Sequence, residues 1–496
     1  MVGRCSQPLL LLPLLRCFAA AAALVTICLG RVTAAAADSG PVPQSCQRYP
    51  IAEWMGCTAP AIQNLTLLDL ALPGTHDTLT YDLSETFSDN ANDLPPALAA
   101  LLHDLHDFAG IGETVRRQAA TQQANITQQL DAGIRFIDLR VTFSAAPDSP
   151  SPAGDARETP TSAWYGLHML QTHRPVLEYL GHIKAWVDAH PTEVVVVWLS
   201  RHGDPCGTTF PGTTVAQRQR FWREVVHLFG PLLYRGGRWN ETSMHEYTEV
   251  LKQRVVFAVS DGREDDGQMV PDDLRDTAMN GCAVVDNQLG IDVADVGRTA
   301  RLLATLRADM AGRRARDKAA NRLYLMSMSG GATKAQMVDA VLLHLLERGL
   351  HVPAADVANL TKACGESFNL PVPIPTWCPP TLASIGRLTN YYAQSFFETA
   401  VNNGSVAAGL LLPGAIYIDQ VSPTPDGTLL TGAPDNPATS PRYAYTASTV
   451  LASLRSLGCG APVCLGIAAL YTDLRASAPL NFAINTTVGR DGPGGW

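Results

Sequence analysis

The chain has 496 residues, a formal net charge of −9, 46% hydrophobic residues and 17% charged residues. That length allows two to four domains, or one α/β barrel that takes up most of the chain. The negative charge argues against a nucleic-acid binder, because phosphate binding requires a basic face, and against strong electrostatic docking to anionic membranes.

The N-terminus predicts a secretory leader. Arg4 and Arg16 flank a leucine run, residues 17–30 are apolar, and small residues at 33–40 suit signal-peptidase cleavage. We therefore predict a signal peptide over residues 1–37 and a secreted, lumenal or cell-surface protein. An uncleaved anchor is the alternative, although the apolar core is short for a bilayer span.

Cysteines and glycosylation sequons also indicate the secretory route. Three of the 11 cysteines fall in the leader, and the rest form an even set, as disulfides require. Short spacings suggest three pairs, and elimination suggests a fourth: Cys46–Cys57, Cys364–Cys378, Cys459–Cys464 and, by elimination, Cys206–Cys282. Asn-x-Ser/Thr sequons, which predict glycosylated surface sites, occur at Asn64, Asn125, Asn240, Asn359, Asn403 and Asn485.

Strand-like apolar runs alternate with helical patterns along the mature chain. The predicted strands are 67–72, 134–141, 194–200, 254–260, 282–287, 323–329 and 414–421, and the predicted helices are 175–191, 215–230, 297–316 and 333–349. Val194–Val197 is apolar on both faces, which is typical of a buried parallel strand. This alternation predicts an α/β fold, a distorted (β/α)8 TIM barrel over 45–460, in preference to an open sheet.

Two insertions and a tail interrupt the alternation. Residues 82–115 form a long, partly helical segment after the first strand, and 144–162 form a loop rich in proline, serine and alanine. We expect the first insertion to lie over the mouth of the barrel, with contact to a lipid interface as a hypothesis. Residues 461–496 are predicted to form a C-terminal tail.

Titratable side chains fall at the predicted strand ends, where α/β barrels carry their chemistry. The first strand is followed by His76 and Asp77, the second ends at Arg140, and His168 follows in the segment 164-WYGLHML-170. Cleavage of a phosphodiester by an adjacent hydroxyl needs a base, an acid and a fixed cation, with carboxylates that orient the histidines. These residues meet that requirement.

Together these motifs resemble the X region of phosphatidylinositol-specific phospholipase C. The resemblance rests on 73-PGTHDT-78, 134-IRFIDLRV-141, the histidine of WYGLHML and 190-HPTEVVVVWLSRHG-203, and it covers residues 66–205 well and 250–420 loosely. It implies a barrel of the phospholipase C type. His76 resembles the general base and His168 the general acid, with Asp77 as the support of His168 and Asp419 as the partner of His76.

The same resemblance implies the remaining roles. Arg140 stands where metal-independent members have an arginine and calcium-dependent members an acidic ligand, so no metal or cofactor is expected. Arg201 and Asp286 align with head-group contacts, whereas Ser260 replaces a basic residue of the bacterial enzymes. Asp138 remains open between the site and a structural hydrogen bond.

The implied function is that of a secreted phosphoric diester hydrolase or lyase that acts on an inositol phospholipid or a related phosphodiester. Its expected partner is the phospholipid at a membrane surface, with no nucleic acid and no obvious protein partner. Two alternatives are a glycerophosphodiester-type phosphodiesterase and a catalytically silent barrel that binds lipid or glycan.

Overall fold

The computed structural model describes residues 52–87, 111–147, 162–201, 203, 206, 209–260, 268–287, 316–329 and 415–418. The predicted leader, the tail, the helix at 333–349 and Asp419 lie outside these ranges, as does nearly all of the predicted helix at 297–316. The predicted domain boundaries therefore stay predictions. No helix of the described ranges is long and apolar enough to cross a membrane.

Strands and helices alternate in part of the described chain. The strands are β1 Leu72–Thr75, β2 Leu83–Phe87, β3 Phe136–Ser144, β4 Ala163–His168, β5 Leu170–Pro175, β6 Val195–Ser200, β7 Val255–Val259, β8 Met279–Asn280, β9 Val284–Asn287, β10 Leu323–Met328 and β11 Ala415–Ile418. The helices are α1 Trp54–Cys57, α2 Ala59–Ile62, α3 Ile111–Ala119, α4 Ile126–Asp131, α5 Val176–Ala189 and α6 Val215–Phe229. The alternation holds around β6, where α5 and α6 correspond to the predicted helices, whereas β3, β4 and β5 follow one another directly.

Parallel pairing arranges the central strands as a distorted barrel. The series runs β8-β7-β6-β3-β1-β11-β10-β9, and every pair in it is parallel. Its two ends, β8 and β9, are successive pieces of one chain segment, separated only by a short helical turn at Gly281–Ala283. Covalent continuity at this turn therefore joins the two ends of the hydrogen-bonded series. The predicted α/β barrel class is confirmed.

The break between β8 and β9 requires a glycine. A Cβ on Gly281 would lie 2.3 Å from the backbone nitrogen of Ser260, directly after β7. No L side chain fits there, because such a contact is far inside van der Waals distance. The glycine thus lets the interrupted strand approach β7 closely, and the barrel is distorted at this place.

A small antiparallel sheet extends the barrel beyond β3. The last residues of β3 leave the parallel series and pair with β4, Val141 opposite Gly166, and β4, β5 and β2 then follow in antiparallel order. The strand β2 belongs to the predicted insertion at 82–115, which also contains the start of α3. The insertion is therefore partly sheet, and residues 88–110 lie outside the described ranges.

The first predicted strand is wrong in its bounds. Leu67–Asp69 forms a short 3-10 helix in which Thr66 and Asp69 make a capping box, and β1 begins only at Leu72. The reason is that leucines are buried equally well on a helical turn and on a strand, so the apolar run by itself does not distinguish the two. His76 nonetheless directly follows the strand, as predicted.

A buried ion pair closes the barrel at the N-terminal ends of its strands. The side chains of Arg135 and Glu193 are fully buried, with Nη2 and Oε2 2.7 Å apart. Glu193 also accepts hydrogen bonds from the backbone nitrogens of Met55 and Gly56, which fastens α1 to the barrel. Arg135 lies over the Trp186 ring, 4.6 Å from its centroid. Arg135 is structural, as the sequence predicts.

One predicted disulfide is confirmed. Cys206, in the loop after β6, is bonded to Cys282, in the turn between β8 and β9. It therefore ties that loop to the interrupted strand of the barrel. Cys57 is also disulfide-bonded; Cys46 and the other two predicted pairs lie outside the described residues.

Candidate active site

The turn after β1 carries the first two site residues. His76 and Asp77 follow Thr75, and Asp77 has a φ of +46°, in the left-handed region that few L residues other than asparagine and aspartate adopt. Asp138 on β3 holds this turn: its Oδ2 accepts from the Asp77 nitrogen at 3.1 Å, and its carbonyl accepts from the Thr78 nitrogen at 3.0 Å. The open question about Asp138 is thus answered in part by a structural hydrogen bond.

Arg140 lies at the centre of the site. It is two residues from Asp138 on β3, and alternation along a strand directs both side chains to the same face. Its Nε lies 2.7 Å from Asp77 Oδ1, and its Nη2 lies 3.1 Å from Asp138 Oδ2 and 2.8 Å from His76 Nε2. The two carboxylates are fully buried. One guanidinium therefore stands against two buried negative charges.

A glycine covers the guanidinium. Gly203, after β6, has a φ of +74°, and a Cβ there would lie 2.7 Å from Arg140 Nη2. Its nitrogen donates to Ser200 Oγ at 2.9 Å, which fixes the start of the loop. The same loop carries Cys206, so the Cys206–Cys282 disulfide constrains the chain that packs on Arg140.

His168 comes from the antiparallel sheet. It is the last residue of β4 and so lies at a strand end, as predicted, although β4 belongs to the antiparallel sheet and not to the parallel series. Its Nε2 lies 3.5 Å from Asp77 Oδ2, and the same oxygen lies 3.4 Å from His76 Nε2. Asp77, predicted to support His168 alone, therefore stands between both histidines.

Each histidine has one partner that can act only as a donor or only as an acceptor. That partner determines which ring nitrogen carries the proton when the imidazole is neutral. A guanidinium only donates, so His76 Nε2 must accept from Arg140 and is unprotonated. A carbonyl only accepts, so His168 Nδ1 must donate to the Ala119 oxygen, 2.6 Å away. Both neutral rings therefore carry the proton on Nδ1 and present a lone pair at Nε2. In this form each ring can accept a proton at Nε2, and either ring can donate one there only after its Nε2 has been protonated.

The same cluster offers metal ligands. Ligand atoms of His76, Asp77 and Asp138 lie within 4.8 Å of one another, the one such group in the described part of the chain. Arg140 contacts all three residues. A guanidinium thus supplies the positive charge that a cation would bring to this position.

Of the other predicted site residues, some lie within the described ranges and one lies outside them. Arg201 follows β6 and is buried, 5% exposed, and Asp286 lies on β9 opposite Leu325 of β10. Asp419 is outside the described residues, although the strand before it, β11, pairs with β1. Ser260 is fully buried, and its hydroxyl accepts from Trp198 Nε1 at 2.9 Å. The serine thus bonds a core tryptophan and brings no charge to the mouth.

Sequence reasoning missed one part of the site, the segment that begins at the last residue of α3. Ala119 contacts His168, and the side chains of Thr121 and Gln122 donate to the His76 carbonyl at 3.1 and 2.8 Å. The sequence around these residues is a polar run, 118-QAATQQ-123, without a motif. Backbone acceptors leave no trace in residue type, so this contact is visible only in the structure.

Comparisons with known proteins agree with the resemblance of the motifs. No family model matches the chain. The chain is 31% identical to PI-PLC X domain-containing protein 1 of Mus musculus over 212 residues. The aligned residues make up 42% of this chain and 53% of that protein. Over 144 residues it is 29% identical to PI-PLC X domain-containing protein 2 of Homo sapiens, 29% of this chain and 41% of that protein. The chain spans about half the length of the curated relatives it matches.

Solved structures give weaker likenesses. A phosphatidylinositol-specific phospholipase C of S. aureus aligns with a TM-score of 0.42 and 14% identity, over 81% of this chain and 97% of that one. The enzyme of Listeria monocytogenes aligns with a TM-score of 0.32 and 15% identity, over 61% of this chain and 90% of that one. The predicted kinship with the PI-PLC X-domain proteins is confirmed by the sequence relatives.

Proposed function

We propose that this relative of the PI-PLC X-domain proteins is a phosphoric diester hydrolase that cleaves an inositol phospholipid or a related phosphodiester. One observation carries the proposal: the Nε2 atoms of two histidines face one buried carboxylate, which is also paired with a guanidinium. General acid–base cleavage by an internal hydroxyl needs these groups.

In the proposed reaction His76 Nε2 removes the proton from the inositol 2-hydroxyl. The resulting oxygen attacks phosphorus, and the bond from phosphorus to the diacylglycerol oxygen breaks. His168 acts in its imidazolium form, in which Nδ1–H stays bonded to Ala119 and the Nε2 proton is delivered to that leaving oxygen. The products are a cyclic inositol phosphate and diacylglycerol, with one proton taken up by His76 and one given up by His168.

Arg140 has two roles in this scheme. In the structure its Nη2 donates to His76 Nε2, which occupies the lone pair that the base must use. A phosphodiester is a stronger acceptor for a guanidinium than an imidazole nitrogen, because it carries a full negative charge. Substrate therefore draws Arg140 to the phosphate, which frees the base and stabilises the charge on five-coordinate phosphorus.

The proposal includes independence of a metal ion and a secretory location. Arg140 supplies the positive charge between Asp77 and Asp138, which supports the first. The Cys206–Cys282 disulfide supports the second, because disulfides persist in oxidising compartments. The predicted leader and the predicted glycosylation sequons point the same way.

The test is phosphorus NMR of the purified protein with phosphatidylinositol vesicles in excess EDTA. We expect a cyclic inositol phosphate signal that disappears in His76→Ala and persists in His173→Ala, a matched control because His173 is exposed on β5. Turnover that requires calcium would contradict metal independence. Absence of turnover in EDTA and also with added calcium would favour a silent binder or another head group.

A further inference from the structure

A short segment that begins at the last residue of α3 contacts both histidine residues. We call Ala119–Gln122 the strap. At one end, the Ala119 carbonyl accepts from His168 Nδ1 at 2.6 Å. At the other, Gln122 Nε2 and Thr121 Oγ1 donate to the His76 carbonyl at 2.8 and 3.1 Å. The strap is therefore bonded to the ring of one histidine and to the backbone of the other.

Thr80 fastens the strap to the turn that carries His76. Its hydroxyl oxygen accepts from the backbone nitrogens of Thr121 and Gln122 at 3.1 and 3.0 Å, and it lies 2.9 Å from the Asp77 carbonyl, to which it donates. All three residues are nearly fully buried, at 4% exposed or less. Buried hydrogen bonds of this kind resist loosening, since a broken partner would be left without water.

The turn needs such support. Asp77 has a left-handed backbone, which costs free energy for a residue with a Cβ, and such conformations persist only where surrounding contacts over-determine them. The strap bonds the His76 carbonyl and Thr80 bonds the Asp77 carbonyl, so both peptide groups that flank the Asp77 Cα are held. They therefore hold the backbone that places both His76 and the carboxylate it shares with His168.

We propose that the strap is a positioning element that sets the two histidines relative to each other, with Thr80 and Gln122 as positioning residues. The kinetic consequence of this inference rests on the proposed function, whereas its consequence for the structure of the site does not. Through Ala119 it maintains the Nδ1–H form of His168, and through His76 it maintains the direction of the base. Neither Thr80 nor Gln122 takes part in the chemistry.

The experiment compares two variants with a matched control. Thr80→Val removes the acceptor of both strap nitrogens without a change in size, and Gln122→Met removes one donor to the His76 carbonyl. Thr277→Val is the control, because Thr277 is also fully buried and its hydroxyl is bonded to Trp222 and Leu274. The readouts are kcat, KM, the pH profile of kcat/KM and the nitrogen-15 shifts of the histidine rings.

We expect kcat to fall by about 10-fold to 100-fold in both strap variants, because sub-ångström to ångström displacements of catalytic groups cost this much. KM should stay within a factor of about three, since general acid and base act in the chemical step. The basic limb of the pH profile, which reports the general acid, should move, and His168 in Thr80→Val should lose its Nδ1–H signature. Thr277→Val should match the wild type in every readout.

Two results would overturn the proposal: strap variants as active as the wild type, or a loss in Thr277→Val as large as theirs. Gln122→Met decides the question if Thr80→Val does not fold. If the wild type itself shows no turnover, the proposed function fails, and the nitrogen-15 spectra alone decide. An unchanged His168 signature in both strap variants would then refute the strap.

Discussion

The guanidinium of Arg140 and the carboxylate of Asp77 form a buried ion pair, with Nε 2.7 Å from Oδ1 and the aspartate side chain fully buried. The other oxygen of that carboxylate faces both histidines. One aspartate thus connects the fixed cation to both proton-transfer groups. Changes at Arg140 are therefore expected to affect the whole site.

Arg140→Lys should lower kcat by about 100-fold to 1,000-fold, the usual effect of losing an oriented donor in an active site. A lysine ammonium is a point charge on a flexible stem and does not reproduce the guanidinium contacts with Asp77, Asp138 and His76. Single-turnover cleavage in EDTA measures the effect. Wild-type activity of Arg140→Lys would show that catalysis needs only a positive charge at this position.

Arg140→Ala should convert the site into one that binds a divalent cation. The substitution leaves Asp77 and Asp138 without their shared guanidinium, next to the imidazole of His76. Isothermal titration with calcium should give a binding signal in this variant and none in the wild type. Equal binding by Arg140→Ala and Arg140→Ala/Asp138→Asn would mean that the ion binds elsewhere.

Arg135→Met should destabilise the fold without altering the chemistry. It leaves Glu193 as an uncompensated buried charge, which costs about 3–5 kcal/mol. The free energy of unfolding from denaturant titration measures this loss. The double variant Arg135→Met/Glu193→Leu should recover much of it, because no charge then stays buried. A loss in the double variant as large as in the single one would contradict the explanation.

Cys206→Ser/Cys282→Ser should lower both stability and activity. Loss of a native disulfide costs about 2–5 kcal/mol, and the freed loop carries Gly203, which packs on Arg140. Thermal unfolding and kcat are to be measured on the variant and on the reduced wild type. Full activity in a destabilised variant would show that the loop holds Arg140 without the disulfide.

Asp69 should make stability depend on pH in the acidic range. Burial raises the pKa of Asp69, but hydrogen bonds from Lys318 and Thr66 outweigh burial, so the pKa is lowered on folding. A lowered folded pKa means that the stabilisation is present above the unfolded pKa, about 3.9, and is lost as pH falls through the folded value.

The measurement is the free energy of unfolding of the wild type and of Asp69→Asn between about pH 2 and pH 7. The wild type should be more stable by about 1 kcal/mol or less at neutral pH, as for other partly exposed ion pairs. The two curves should converge at the acidic end. A constant difference across this range would show that titration of Asp69 is not its cause.

Several features of this protein could be read from residue types and their order. Strand–helix alternation indicates the barrel, because a buried parallel strand is apolar on both faces, as in Val194–Val197. His76, Asp77 and Arg140 were identifiable because barrel strand ends converge on one edge. The pairing of Cys206 with Cys282 followed by elimination from spacing.

Other features depended on tertiary structure alone. The run at 67–72 is half 3-10 helix, since burial of leucines does not determine backbone geometry. His168 reaches the site from β4, which pairs antiparallel with β3 and does not belong to the parallel strands of the barrel. The protonation pattern of the two histidines depends on the Ala119 carbonyl and on one guanidinium nitrogen.

The sequence by itself therefore determined which chemical groups are present and at which end of the barrel they gather, because strand order and side-chain alternation follow from local pattern. Tertiary structure decided which atom of each group faces which partner. Hydrogen-bond direction depends on distances of a few tenths of an ångström between segments far apart in the chain. Backbone carbonyls such as that of Ala119 determine these hydrogen bonds as much as side chains do.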